Sequence, residues 1–131
     1  MVQGVDRLRR KLVDQLPKQA RAQLEIAMVE SADRIVAGAR LRVPVETGEV
    51  RDSIRQHGVK EGKRGGLYIA ITAGDSSTEN DGYQVARLLE FGTQKMPAQP
   101  FLLPSFRANR KAAQRRMRRA ITDAIRKEGL A

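Results

Sequence analysis

Apolar residues recur every three or four positions over four stretches of this chain, and two segments rich in β-formers lie between them. Val5, Leu8, Leu12 and Leu16 predict a short amphipathic helix over 5–16, ended by Pro17. From about Lys18 to Arg42 a longer helix is predicted by the stripe Leu24, Met28, Ala32, Ile35 and Ala39, with Arg21, Glu25, Asp33 and Arg40 largely off it. Pro44 stops that helix, and Thr47-Gly48 supplies a turn. Glu49–Asp52 then forms a brief helical turn, with Thr47 as the expected N-cap. Ser53–Lys60 and Leu67–Ala73 read as strands joined through the glycine-rich turn Glu61–Gly66, a β-hairpin. Gly74–Gly82 is a polar loop, acidic on balance, and the segment expected to be mobile or ordered by a partner. Gln84–Phe91 is a short helix. Phe106, Ala113, Met117, Ala120, Ile121 and Ala124 predict a last helix from about Pro104 to Lys127, roughly 35 Å long. The predicted fold is α+β: long helices packed on a small, mainly antiparallel sheet, with a basic carboxy-terminal helix. Its 131 residues suit a single domain. The expected divisions are an N-terminal helix (1–17), a long helix (18–42), a hairpin (53–73), a polar loop (74–82), a short helix with the segment after it (83–106) and a basic helix (107–127).

The stretch Glu90–Phe106 departs from periodicity. It holds three prolines, Pro97, Pro100 and Pro104, and all three phenylalanines of the chain, Phe91, Phe101 and Phe106. Proline fixes φ, donates no backbone hydrogen bond and pushes the residue before it toward extended conformations. The helix before this stretch should therefore end at Gly92, Met96–Pro100 should cross as an extended strap, and Pro104 should sit in the first turn of the next helix. Phe101 and Phe106 are the expected anchors of a rigid connector.

Charge is distributed unevenly. The chain carries a formal +10, yet Arg107–Lys127 holds nine Lys or Arg against one acid, a net of +8, and the remaining 16 basic and 14 acidic residues leave only +2. Basicity thus belongs to one helix. Arg107, Arg110, Lys111, Arg115, Arg116, Arg118 and Arg119 suit phosphate or acidic-partner contacts, and phosphate binding would be salt-dependent. A helix with one buried face must also put its charges on the other, so a solvated or protein-facing surface is the alternative, and no aromatics are interleaved for base stacking.

Residues suited to catalysis or metal binding are few. With no cysteine, disulfides and thiolate metal sites are excluded. The single histidine, His57, has no nucleophile elbow or other supporting motif and reads as a solvent-facing residue at a strand end. Asp75, Glu79 and Asp81 lack calcium-loop spacing, and the glycines at 58, 62, 65 and 66 do not spell a phosphate-binding loop. No catalytic, cofactor or metal site is expected. The amino terminus has no apolar core of a secretory signal, and no apolar run approaches the roughly 20 residues that span a bilayer. Glu90 reads as a surface carboxylate or one that closes local backbone donors, and Thr93, like Thr47, as a turn or cap residue.

Three motifs in order, Val43-Pro44-Val45-Glu46-Thr47-Gly48, Glu90-Phe91-Gly92-Thr93 and the strap Pro97–Phe106, resemble the tail-completion, or head-tail joining, proteins of long-tailed (siphovirus-type) bacteriophages and prophages. The resemblance implies a structural virion protein of the neck, made in the host cytoplasm. Such a protein completes the head-proximal tail end and joins it to the head connector by assembling as a ring, six-fold in that family. Implied partners are copies of itself, connector or stopper proteins, tail terminator or tail-tube proteins, and weak non-specific contact with DNA in the channel; no membrane is implied. Candidate interface and structural residues are Pro44, Thr47, Gly48, Glu90, Phe91, Gly92, Thr93, Pro97, Pro100, Phe101, Leu102, Pro104 and Phe106, with Glu90 open to pairing with a basic residue of a neighbouring subunit. A small DNA-binding protein acting through its basic helix is the alternative.

Overall fold

Proline opens the first described helix. In a computed structural model of the chain, which describes residues 17–44, 48–80 and 82–127, α1 spans Pro17–Arg42. Pro17 takes the first helical position, where its missing N–H costs nothing. The helix expected over 5–16 lies outside the described residues. After α1 come α2 (Glu49–Ser53), the hairpin β1 (Arg55–Glu61) and β2 (Leu67–Thr72), a 3₁₀ turn at Ser76–Thr78, and a two-residue ribbon β3 (Glu79–Asn80) and β4 (Tyr83–Gln84). Then follow α3 (Val85–Phe91) and α4 (Leu102–Lys127). The fold is α+β: α1 and α4 pack along one another, and the antiparallel β1–β2 hairpin lies on α1.

Several local expectations shift. Thr47 is outside the described residues, and the N-cap position of α2 is held by Gly48 at φ 71°, with no side-chain cap. The first strand starts two residues later than the sequence suggests. Ser53 closes α2 instead: its hydroxyl donates to the Val50 carbonyl at 2.6 Å and accepts from the Gly74 N–H at 2.8 Å. Within the hairpin, Gln56 pairs with Ile71 and Val59 with Ile69, so His57 and Gly58 bulge against a single partner residue. His57 is exposed there, its Nε2 2.6 Å from Thr72 Oγ1, inside the strand and not at its end.

The segment expected as a loose polar loop carries its own order. Asp75 caps the 3₁₀ turn: its carboxylate accepts from the Ser77 N–H at 2.8 Å, and its own N–H donates to Thr78 Oγ1 at 2.9 Å. These bonds, those to the Ser77 hydroxyl and N–H foremost and Arg55 at 2.9 Å in support, hold the Asp75 carboxyl below its usual range. Thr78 is buried and bonds the Gln84 side chain. A capping box and a short ladder give this turn bonds of its own.

The core sits where α1, α2, α3 and the start of α4 converge. Val36, Ala39, Val43, Val50, Ile54, Ala86 and Phe101 form one buried cluster, with Ile71, Ala73, Val85, Leu89 and Leu102 packed against it. Of the stripe expected on α1, Met28, Ala32, Ile35 and Ala39 are buried, joined by Ala27, Ser31 and Val36. The buried face is therefore broader than a single stripe, because α1 meets α4 on one flank and the hairpin on another.

The closest approach of α1 and α4 depends on two small residues. The fully buried Ser105 donates its hydroxyl to the Ile35 carbonyl at 2.6 Å, tying α4 to α1 across 70 residues of sequence. A Cβ on Gly38 would lie 2.5 Å from Ser105 Oγ. Gly38→Ala should therefore destabilise the fold by up to about 2 kcal/mol, overpacking of about 1–3 kcal/mol being set against a helix-propensity gain of about 1 kcal/mol. Removing the hydroxyl relieves the clash, so Gly38→Ala/Ser105→Ala should lose less stability than the two single variants summed. Urea unfolding of the four proteins measures this, and strict additivity would reject the steric account.

Candidate functional site

Everything between α3 and α4 is arranged around one carboxylate. The last turn of α3 carries Glu90, and Gly92 ends the helix at φ 74° and ψ 178°, its N–H bonded to the Leu88 carbonyl at 2.8 Å. A Cβ on Gly92 would meet the Ala98 backbone nitrogen at 2.7 Å, so this position takes no side chain. The chain then folds back. Thr93 donates its N–H to the Met96 carbonyl at 2.9 Å while its hydroxyl accepts from the N–H groups of Met96 at 3.0 Å and Lys95 at 3.3 Å. The Gln99 N–H reaches the Leu89 carbonyl at 2.8 Å and returns the strap to α3.

That return delivers the start of α4 to Glu90. Oε2 accepts from the N–H of Phe101 at 2.9 Å and of Leu102 at 3.0 Å, and Oε1 accepts from Leu103 at 2.9 Å. The first four N–H groups of a helix have no partner within it. Here three go to one carboxylate, and the fourth position is Pro104, which has no N–H. The α4 start is thus completely satisfied by Glu90 and a proline. Negative charge at this end also suits the helix dipole. Glu90 is buried, and desolvation by itself would raise its carboxyl; the three backbone donors and the charge of Arg107 outweigh that and hold it below the ordinary value.

The phenylalanines divide. Phe101, 1% exposed, is a core anchor; Phe91 is 67% and Phe106 45% exposed, and Thr93–Pro100, including Pro97 and Pro100, face solvent. The strap is a surface turn whose single aromatic anchor is Phe101, because a carboxylate and backbone bonds hold it in place of apolar burial. Phe106 stands at the edge of a cavity of about 240 Å³ between α1, the hairpin and α4, lined also by Met28, Ile35, Ile69, Ile71 and Met117. Pro44 is half-buried at the exit of α1.

Two further surfaces are apolar and unpartnered among the described residues. Phe91 and the exposed Leu103 flank a cavity of about 220 Å³ reaching toward Ala86 and Phe101, with Arg87 on its wall. On α1, Ala22, Ile26, Val29 and Ala37 line an open groove of about 850 Å³ closed on one side by Val59 of β1, with Glu25, Glu30, Asp33 and Arg34 around it. Ile26 is 61% exposed. Sequence reading passed over this groove because one stripe of α1 already explained the helix; the spacing of Ile26, Val29 and Ala37 marks a second face.

Along α4, Arg107, Arg110, Lys111, Arg115, Arg118 and Arg119 are all exposed. Arg116 is set apart: partly buried, it donates to Ser31 Oγ at 2.9 Å and lies 3.7 Å from Glu30, facing α1. No cluster of metal-binding side chains exists among the described residues, and none of their helices is long and apolar enough to cross a membrane.

A small domain with a rigidly set terminal helix and open apolar faces has the make-up of an assembly component. The sequence matches the family model described as "Bacteriophage HK97-gp10, putative tail-component" over residues 6–92, and the chain belongs to that family. The match runs through α3 to Gly92 and takes in the first of the three motifs and Glu90-Phe91-Gly92 of the second. Neither the curated proteins nor the solved structures compared with the chain give a match. Membership makes the chain a structural, virion-associated protein of the phage tail and head-joining region and not an enzyme.

Glu90→Gln should cost about 2–3 kcal/mol, since it removes the charge from three hydrogen bonds and turns an amide toward backbone donors. Because the folded carboxyl titrates below its unfolded value of about 4.3, its stabilisation is fully present above that pH and is lost as pH falls through the lower folded value. The gap in urea midpoint between wild type and Glu90→Gln should therefore be constant from pH 8 to about 5 and narrow toward pH 3. A gap unchanged down to pH 3 would show that the charge is not what holds α4.

Proposed function

We propose that this chain completes the head-proximal end of the tail and joins it to the head connector as one subunit of a closed ring, six-fold by resemblance to the family. Its neighbours are further copies of itself around the tail axis, connector or stopper proteins on one side, and terminator or tail-tube proteins on the other. The observation that carries this reading is the pair of apolar surfaces, which share no residue. A cyclic ring is built from head-to-tail contacts, which require two different, complementary patches on every subunit. The Phe91–Leu103 surface projects aromatic and aliphatic side chains beside Arg87, with Arg107 close enough to act on Glu90. The α1 groove is concave and has three acids to one arginine around it. Glu25 and Glu30 bridge Arg21 and Arg34 one turn away, but exposed pairs of this kind contribute only about 0.3–0.5 kcal/mol and exchange readily for a partner across an interface. Phe91 in the groove beside Ile26 of the next subunit satisfies both surfaces.

The absence of cysteine makes the test clean. Under mild oxidation, Phe91→Cys mixed with Ile26→Cys should give the mixed disulfide dimer in preference to either homodimer, and the double variant should give a ladder ending at the closed ring. Preferential Phe91→Cys homodimers would mean a two-fold contact and reject the head-to-tail arrangement. In the phage, deleting the gene should yield separate heads and tails; infectious particles without it would reject the joining role.

A further inference from the structure

Family membership gives the chain its place in the tail, but the basic helix α4 lies beyond the matched residues, and past its first turns, where Leu103 and Arg107 border the Phe91 surface, it has no role in the ring contact above. Its charge arrangement is unlike that of α1. On α1, two of the four exposed arginines are answered one turn away by acids, Arg21 by Glu25 at 3.1 Å and Arg34 by Glu30 at 3.0 Å, and the other two, Arg40 and Arg42, bond backbone carbonyls. On α4, the one-turn neighbours are other cations: Arg107 with Lys111, Lys111 with Arg115, Arg115 with Arg119, and at three residues Arg107 with Arg110 and Arg115 with Arg118. Like charges at these spacings repel and destabilise a helix. Among the described residues none of these six forms a salt bridge, and the one acid of α4, Asp123, forms none either.

The opposite face of α4 is committed. Ser105, Ala113 and Ala124 are buried, and Arg116 turns inward to Ser31 and Glu30. Arg107, Lys111, Arg115, Arg118 and Arg119 therefore share one outward face, about 18 Å long from Arg107 to Arg119 at 1.5 Å per residue, with Arg110 at its edge beside the Phe106 cavity. A burial requirement explains why polar residues lie there. It does not explain why every charge has the same sign and no acid is interspersed.

We propose that the outer face of α4 binds the phosphate backbone of duplex DNA. A row of self-repelling cations is relieved by a partner with a regular array of negative charge, and phosphate contact needs no base-reading geometry. The face lacks the aromatics that hold unstacked single strands, which favours the duplex. Glu90 contributes indirectly: by fixing the first turn of α4 it sets the line along which the cations point. The inference rests on the tail reading only for the source of the polyanion, the genome that crosses the head–tail joint, and DNA binding is measurable whether or not the ring forms.

The test is anisotropy of a labelled duplex of about 30 bp of arbitrary sequence, titrated with the full chain between 50 and 200 mM NaCl. With about five phosphates contacted, the slope of log K against log salt should be about −4.5, a loss of several hundred-fold over that range. Arg115→Glu/Arg119→Glu should flatten the slope by about 2 and weaken binding about fifty-fold at 0.1 M salt. Lys63→Glu/Arg64→Glu makes the same change in net charge in the exposed hairpin turn and should alter affinity less than three-fold. Both pairs are exposed, and circular dichroism melts verify that each variant is folded. Equal losses in the two pairs would reduce the effect to net charge and overturn the proposal. So would a slope near zero, or displacement of DNA by equimolar polyglutamate, which would mark α4 as a face for an acidic protein.

Discussion

The carboxylate of Glu90 is the constraint on which the rest of this domain depends. A helix start buried against a core must have its N–H groups satisfied, and here the usual local cap is absent: the position before α4 is Phe101, whose side chain is in the core. The acceptor comes instead from the end of another helix, eleven to thirteen residues upstream. Because one group serves three donors, α3, the strap and α4 hold a fixed relation that no single apolar contact would impose. Gly92 and Thr93 are needed because only a tight reversal brings Phe101 back to Glu90. Pro104 completes the arrangement by having no N–H to satisfy.

From that fixed start, α4 is laid along α1 through Ser105 and Gly38, where backbone and hydroxyl approach too closely for any added carbon. Packing this tight on one flank, with the hairpin on another, leaves part of α1 without a partner among the described residues, which is the groove around Ile26 and Val29. The groove and the Phe91 surface are thus products of the same geometry. Enough apolar area is buried to hold a small core together, and the remainder is presented outward, as expected of a subunit that completes its packing on assembly.

The two long helices divide the electrostatic work. α1 answers two of its exposed arginines, Arg21 and Arg34, with acids one turn away, while Arg40 and Arg42 bond backbone carbonyls. α4 repels itself along its outer face and is stabilised by its buried side, by Glu90 at its start and by the inward pair of Arg116 with Glu30.

Much of the fold was legible in the residues alone, for definite reasons. Periodic apolar positions marked α1, α3 and α4, glycine and β-formers marked the hairpin, and Gly92 and Pro104 marked an end and a beginning, because these properties are local and the backbone obeys them wherever it lies. The motif order carried the family resemblance for the same reason. What the residues could not show depended on contacts distant in sequence. Glu90 read equally well as a surface acid until Phe101–Leu103 came back to it. Phe106 read as an anchor beside Phe101, yet one is nearly half-exposed and the other fully buried, since helical spacing gives a face and not its depth. Gly74–Gly82 read as loose because its bonds, Thr78 to Gln84 and Arg55 to Asp75, link residues that only the fold brings together. By itself the sequence determined the long helices α1 and α4, the short helix α3, the hairpin and where the positive charge lies. Tertiary structure alone decided which carboxylate caps which helix and which apolar residues are left facing outward, because both are properties of surfaces that meet only after the chain has turned back on itself.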